Sequence, residues 1–175
     1  MARPTKSKDR YALGGMAALE AGDYATAEVR LMKAVKLDRR NAELRLNLAI
    51  AHQHTGYIDD AAREFTEVLA LSPGKQAALS LFSSLLSRFQ IEDPSSLNVT
   101  GLKAAISNET PNLQPVVNVA LKRLETTGEL ADALARASGG KFYDVARELL
   151  IGGTAKSLKD DLLLKALVFG KVTTI

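Results

Sequence analysis

The sequence contains no cysteine, no long apolar run and no block of like charge, and each absence excludes a class of protein. Without cysteine there are no disulfides, thiolate nucleophiles or zinc–thiolate sites. No apolar run approaches the roughly 20 residues of a membrane span, and residues 1–6 lack the apolar core of a secretory signal. We therefore expect a cytoplasmic protein without a membrane partner, in which the sequons at 98–100 and 108–110 carry no glycan.

Basic residues are spread along the chain and are not gathered into a patch. Of the 23 lysines and arginines, 12 lie in residues 1–75 and 11 in residues 76–175, and the 20 acidic residues divide equally. The net charge is +3. A protein that follows a phosphate backbone needs a concentrated basic surface, so nucleic acid is not an expected partner. The basic residues of segment 1–7 are typical of a solvated N-terminus, which we expect to be flexible.

No arrangement of residues suited to catalysis or metal binding is found in the sequence. The two histidines, His52 and His54, lie two residues apart on a predicted helix and point to nearly opposite sides, so they cannot share a metal ion. Residues 152–157 lack the glycine directly before the lysine, and the preceding strand, that a phosphate-binding loop needs. Asp59 and Asp60 are predicted to begin a helix, whose dipole favours carboxylates there. We therefore expect no catalytic residue, metal or cofactor, and a protein that is not an enzyme.

Two segments of the chain repeat each other at a spacing of 34 residues. A fixed period of this length indicates a helix-turn-helix unit that stacks on copies of itself, because one unit cannot bury its apolar face alone. Pro73 and Gly74 follow the second unit and are predicted to end its last helix, with Gly74 in a left-handed cap. The matching pairs are Gly22 and Gly56, Ala27 and Ala61, Leu31 and Phe65, and Leu37 and Leu71.

The spacing and the residue types at these positions resemble the tetratricopeptide repeat. Residues 8–41 and 42–75 are similar to two such units, although Gly14 stands where leucine is usual and Arg39 replaces the closing proline. Residues 76–90 begin a third unit but lose the pattern, and we interpret them as a degenerate capping helix. The resemblance implies an all-α fold, an α-solenoid of helical repeats over residues 8–90.

The resemblance also implies a binding groove. In the tetratricopeptide family the first helix of each pair lines a concave face that binds extended peptides. One variant of that groove grips a C-terminal carboxylate, but four of its five positions are Ala12, Met16, Ala77 and Leu81 here, so this clamp is absent. Asn47 matches the fifth position, where it is either a structural amide or a ligand contact. The predicted groove residues are Ala12, Met16, Leu19, Leu46, Asn47, Ile50, Gln53, Ser80, Ser84 and Ser87.

The second half, residues 91–175, keeps helical spacing but loses the 34-residue period. It is predicted to form a helical module of four short helices that covers the open end of the array. The first follows Pro115 and ends at Gly128, and the others lie near 129–137, 142–149 and 158–169. Segments 112–115 and 161–174 are also similar to a helical connector in bacterial S-adenosylmethionine-dependent methyltransferases with N-terminal tetratricopeptide repeats.

Three functions are consistent with these observations. The favoured one is a protein–protein interaction scaffold that binds a peptide or a helix of a protein partner in the concave groove. The second is the non-catalytic recruiting or regulatory N-terminal region of a methyltransferase, which would require a catalytic domain after Ile175. The third is a self-associating array, possible as a homodimer, because two clear repeats are fewer than the three that usually make a stable stack.

Overall fold

The computed structural model describes residues 4–108 and 112–128, and this part of the chain is helical, without β-strands. The absence of strands agrees with the predicted all-α solenoid. None of the helices described is both long enough and apolar enough to cross a membrane. The elements are α1 (Pro4–Glu20), α2 (Tyr24–Leu37), α3 (Ala42–Thr55), α4 (Ile58–Leu71), α5 (Gln76–Arg88), a 3-10 helix (Pro94–Ser96), α6 (Val99–Ser107) and α7 (Gln114–Thr126).

Helices α1 and α2, and helices α3 and α4, form the two predicted antiparallel pairs. The turns between them contain Gly22 and Gly56, whose φ angles of 74° and 88° are costly for any residue with a Cβ. Asp23 caps α2 by accepting a hydrogen bond from the Thr26 amide at 3.0 Å. Asn41 caps α3, accepting from the amides of residues 43 and 44 at 3.1 Å. The 34-residue period therefore reflects repetition of the helices and of the turn that joins them.

One local prediction is wrong. Helix α4 ends at Leu71 with Ser72 as its cap, and Gly74 does not have a positive φ. The chain turns by a hydrogen bond from the Lys75 amide to the Ser72 carbonyl, so no left-handed residue is needed. At the other end, α1 begins at Pro4, and the flexibility expected of residues 1–7 stays a prediction. Proline suits the first helical position because its φ is fixed and its missing N–H has no partner there in any case.

The apolar side chains form two separate cores that meet at α3. The first core lies between α1, α2 and α3, with Ala27 and Leu31 fully buried. The second extends from α3 to α7 around Phe65 and Phe82, whose ring centroids are 6.2 Å apart. Helix α3 contributes to both cores, and no side chain belongs to both. Among the described helices, α3 is therefore the one that contributes buried side chains to both cores.

Helix α6 was not predicted, and it packs against α4 more closely than any neighbouring helix except α3. Gly101 makes this approach possible, because an added Cβ would lie 2.6 Å from the carbonyl carbon of Thr66 on α4. Asn98 fixes the start of α6. Its side-chain oxygen accepts a hydrogen bond from the backbone amide of Gly101 at 3.2 Å, and its backbone amide donates to Thr66 Oγ1 at 3.0 Å. Helix α6 thus joins the array through α4, and α5 and α6 do not pack as a pair in the way that α1 and α2 or α3 and α4 do.

Segment 89–98 joins α5 to α6 and is held by α4. The carboxylate oxygen Oδ1 of Asp59 accepts hydrogen bonds from the amides of Glu92 and Asp93, at 2.9 and 3.0 Å. Asp59 lies in the first turn of α4, as predicted. Its hydrogen bonds to the backbone of segment 89–98 could not be predicted from the sequence. The interruption of the repeat pattern at residues 90–94 therefore coincides with the segment that leads from α5 to α6.

Helix α7 covers the far side of the array, where it contacts α5, α6 and the 3-10 helix. It matches the predicted first helix of the second half: Val116, Val119, Ala120 and Leu124 are buried, and Gly128 follows its end. The predicted helices near 129–137, 142–149 and 158–169 lie outside the described residues, as does the methyltransferase-like segment 161–174. The division of the chain at residue 90 stays a prediction.

Candidate peptide-binding face

The ten predicted groove residues lie on α1, α3 and α5. Their numbers differ by 34 from one helix to the next, so equivalent residues follow each other across the array. We call the surface on which these ten residues lie the concave face, the term used for the corresponding surface of the tetratricopeptide family. The equivalent sets are Ala12, Leu46 and Ser80; Met16, Ile50 and Ser84; and Leu19, Gln53 and Ser87.

Most of these side chains reach the surface. Met16 is 40% exposed, and the three serines of α5 are exposed as well. Ala12, Leu19, Asn47, Ile50 and Gln53 are half-buried. Leu46 differs, because it is only 7% exposed and belongs to the second core. A charge placed at Leu46 would therefore damage the fold before it could report on binding.

The sequence analysis missed Leu13, the most exposed large apolar residue in the described part of the chain. Its side chain is 67% exposed, three residues before Met16 on α1. Leu13 also precedes Asn47 by 34 residues, and that offset was the signal that could have placed it in the groove. Together Leu13 and Met16 give the α1 side of the face an apolar surface that no described residue covers.

Asn47 presents a free amide on the same face. A half-buried asparagine with a structural role is expected to be hydrogen-bonded within the protein. Among residues 4–108 and 112–128, no hydrogen bond or other polar contact satisfies the Asn47 side chain. Its amide can therefore donate to, and accept from, the backbone of a bound peptide.

Ser87 lies at the boundary of the face and is already engaged. Its hydroxyl donates to the Ser83 carbonyl at 2.8 Å and accepts from Asn112 Nδ2 at 3.0 Å. The neighbouring Ser83 donates to the Asn112 carbonyl at 2.5 Å. These bonds fasten the start of α7 to α5, so Ser80 and Ser84 are the α5 serines with free hydroxyls in this part of the structure.

The two histidines lie apart, as their spacing predicts. His54 is exposed, with its ring stacked on Tyr24 at a centroid distance of 3.9 Å. His52 is buried between the pairs, with its ring edge-on to Tyr57. Within residues 4–108 and 112–128, no group of three or more possible metal ligands is found.

Burial lowers the pKa of His52, and several neighbouring charges only partly oppose this. Its Nδ1 is fully buried and accepts no hydrogen bond in the described structure. The nearest carboxylate oxygen, Glu28 Oε1, is 3.9 Å away, and the other Glu28 oxygen is bonded to Thr55 Oγ1 at 2.9 Å. Glu28, Asp60 and Glu64 raise the pKa, whereas Arg63 lowers it further. His52 is therefore held in its neutral form.

We expect the protein to lose stability when the pH falls below about 6.5, the ordinary histidine value. Below that pH the unfolded chain binds a proton at residue 52 that the folded protein resists, so each pH unit costs at most about 1.4 kcal/mol. The loss ends once the pH has passed the lowered pKa of the folded state. Urea unfolding between pH 7.5 and 5.5 measures it, and His52→Gln is expected to flatten the profile. His54→Gln is the control; an equal flattening there, or none in His52→Gln, would contradict the assignment.

Comparison with known proteins finds a match to the region of the repeats. Residues 18–85 match the family model described as tetratricopeptide repeat. Among solved structures, the crystal structure of the MamA protein is 18% identical to this chain, with a TM-score of 0.48, and the match covers 97% of this chain and 96% of that one. A comparison with curated proteins gives no match. The family model thus covers the end of α1, all of α2 to α4 and most of α5, and within this range α3 and α5 carry most of the predicted groove residues.

Proposed function

Because residues 18–85 match the tetratricopeptide repeat family model, we propose that this protein is an interaction scaffold that binds a peptide or a helix of a protein partner on its concave face. The observation that carries the proposal is the free amide of Asn47, half-buried beside exposed apolar side chains. Solvent reaches this amide, so its donor and its acceptor are available to a ligand without breaking a bond inside the protein. Its presence supports a surface used for binding.

The chemistry of the face indicates what kind of ligand it suits. The ten predicted residues and Leu13 carry no charge, and the α1 side is apolar while the α5 side offers small hydroxyl groups. A peptide with apolar side chains would bury Leu13 and Met16, and Asn47 would hydrogen-bond its backbone. The peptide's C-terminal carboxylate is not needed, since the residues that would clamp it are replaced. A surface of this size and polarity is expected to bind in the micromolar range, about 8 kcal/mol.

The test is a selection of peptides from a displayed random library with the full chain as target. Selected peptides are expected to be rich in apolar residues and to bind equally well with a free or an amidated C-terminus. Leu13→Glu and Met16→Glu are expected to weaken their binding at least tenfold, because each buries a charge at the contact. Asn47→Ala is expected to weaken it by roughly fivefold, the value of one hydrogen bond of about 1 kcal/mol.

Leu37→Glu is the matched control. Leu37 is 51% exposed at the end of α2, so it accepts the same substitution at similar exposure on a helix outside the concave face. Circular dichroism and the unfolding midpoint are expected to stay unchanged in all of these variants. The proposal is wrong if the selected peptides bind the Leu13→Glu and Met16→Glu proteins as tightly as they bind the Leu37→Glu protein.

A further inference from the structure

A second groove lies at the N-terminal edge of the array, between α1 and the outer side of α2. It encloses about 580 Å³ and shares no residue with the concave face. Its floor and walls include Tyr11, Ala25 and Val29, and three cations line it: Arg10, Arg30 and Lys33. We call it the edge groove. In a repeat array this is the side on which a preceding helix pair would stack.

The outer side of α2 is built differently from its inner side. Ala27, Leu31, Ala34 and Val35 face the first core and are buried. The edge groove instead receives residues 25, 29 and 33, which are four apart and follow one line along the helix. Val29 is 53% exposed, so an apolar side chain stands between the cations without cover from any described residue. This line spans about 12 Å, which matches two turns of a helix laid beside α2.

The three cations are not paired within the described part of the chain. None of them lies within 4 Å of a carboxylate oxygen there. The charge of Arg30 nevertheless contributes to the lowered pKa of Asp23, after the hydrogen bonds from Thr26. Lys8, which lies on α1 like Arg10, differs, since it is bonded to Asp38 at 3.2 Å. Lys33 is held over the ring of Tyr11, 5.5 Å from its centroid. Such a cation–aromatic contact positions the ammonium group without neutralising it.

The absence of a side chain at Gly14 leaves space for the Arg30 side chain at the wall of the edge groove. A Cβ on residue 14 would overlap Nη1 of Arg30 and lie 3.3 Å from its Cδ and Cζ. Glycine in the interior of a helix is destabilising relative to alanine, and Gly14 lies in the middle of α1. The missing side chain lets the guanidinium group lie against the backbone of α1, facing the groove.

We propose that the edge groove binds an acidic amphipathic helix of a protein partner. Leucine-type residues on one side of that helix would contact Tyr11 and Val29. Carboxylates on either side of this apolar stripe would pair with Arg10, Arg30 and Lys33. The complementarity of charge selects the occupant: three unpaired cations around an apolar strip favour carboxylates around a matching strip. The groove is separate from the concave face, so this inference stands whether or not that face binds a peptide.

The probe is a synthetic 16-residue helical peptide that presents leucine along one side and glutamate beside it. Its binding to the full chain is measured by fluorescence anisotropy at low and at moderate salt. We expect micromolar affinity that weakens as salt is added, because exposed charges are screened. A peptide with lysine in place of every glutamate is expected to bind at least tenfold more weakly. Lys33→Glu and Val29→Glu are each expected to weaken binding of the acidic peptide at least tenfold.

Lys36→Glu is the matched control, since Lys36 is exposed on the same helix but does not line the groove. It is expected to leave the affinity within twofold, as is Met16→Glu on the concave face. Gly14→Ala is expected to displace the Arg30 guanidinium and weaken binding several-fold while the unfolding midpoint stays or rises. That combination separates the groove from general loss of structure.

Several results would overturn the proposal. Equal losses in Lys36→Glu and Lys33→Glu would show attraction by overall charge without a defined site. Binding to vesicles of anionic phospholipid, with none to the peptide, would assign the groove to a membrane surface. A dimer in sedimentation experiments that Lys33→Glu converts to a monomer would assign it to a second copy of this chain.

Discussion

Replacing Gly101 by alanine is expected to lower the free energy of unfolding by about 3 kcal/mol, the upper part of the range for an overpacked contact. The added Cβ would lie 2.6 Å from the Thr66 carbonyl carbon and 2.8 Å from its Cα. These are backbone atoms of α4 and cannot turn away, so α6 would have to move as a whole. Moving α6 would disturb Leu102, Ala105 and Ile106, which are buried in the second core.

The sign of this effect makes it a strict test. In an exposed helix the same substitution is expected to stabilise by about 1 kcal/mol, because alanine is the better helix former. The measurement is urea unfolding of the full chain followed by circular dichroism. Gly74→Ala is the control, since its position has no positive φ and no atom within 4 Å of an added Cβ. A Gly101→Ala protein as stable as the wild type would show that α6 does not contact α4 in this way.

Replacing Arg45 by methionine is expected to cost about 3 kcal/mol, because it leaves the Glu64 carboxylate buried without its partner. Arg45 Nη1 lies 2.6 Å from Glu64 Oε2, and the two side chains are 13% and 11% exposed. Arg45 Nε also donates to the Arg39 carbonyl at 2.8 Å. The arginine thus joins the start of α3 to α4 and to the loop after α2.

A double-mutant cycle distinguishes the lost partner from lost packing. The Arg45→Met, Glu64→Leu double variant removes both charges and is expected to recover more than half of the stability that the single variant loses. Each free energy comes from urea unfolding at pH 7. Lys8→Met is the control, because its pair with Asp38 is about one-third exposed and is worth at most about 1 kcal/mol. If the double variant is less stable than Arg45→Met, the pair is not coupled as described.

The repeats could be predicted from the sequence because residues within each repeat determine its turn and the packing of its two helices. Gly22 and Gly56 mark the tight turns, and Ala27 and Ala61 mark the close contacts within each pair. The offset of 34 residues then relates equivalent residues on α1, α3 and α5. Prediction from sequence failed where a long-range contact decides the structure, as in α6, a nine-residue helix with a glycine inside it. Its local signal is weak, and its helix is stabilised by Thr66 and Asn98, which are 32 residues apart.

The candidate site stays a prediction, and the structure adds how far each of its residues is exposed. Periodicity shows which residues share a helix face, but it does not show how far a neighbouring helix covers that face. Leu46 is therefore buried although Ala12 and Ser80, its equivalents, are not. The edge groove could not be predicted either, because Gly14 and Arg30 lie on different helices and their contact has no pattern in the sequence.

The meeting of two cores at α3 has a thermodynamic consequence. Because no side chain belongs to both cores, α1 and α2 can open together while Phe65 and Phe82 stay buried, as one cooperative unit of local unfolding. Both the concave face and the edge groove include residues of α1, so neither exists in the opened form. A ligand on either surface draws the population away from that form and so raises the affinity of the other surface. Two partners that never touch each other would bind this small array cooperatively, through the stability of one helix pair.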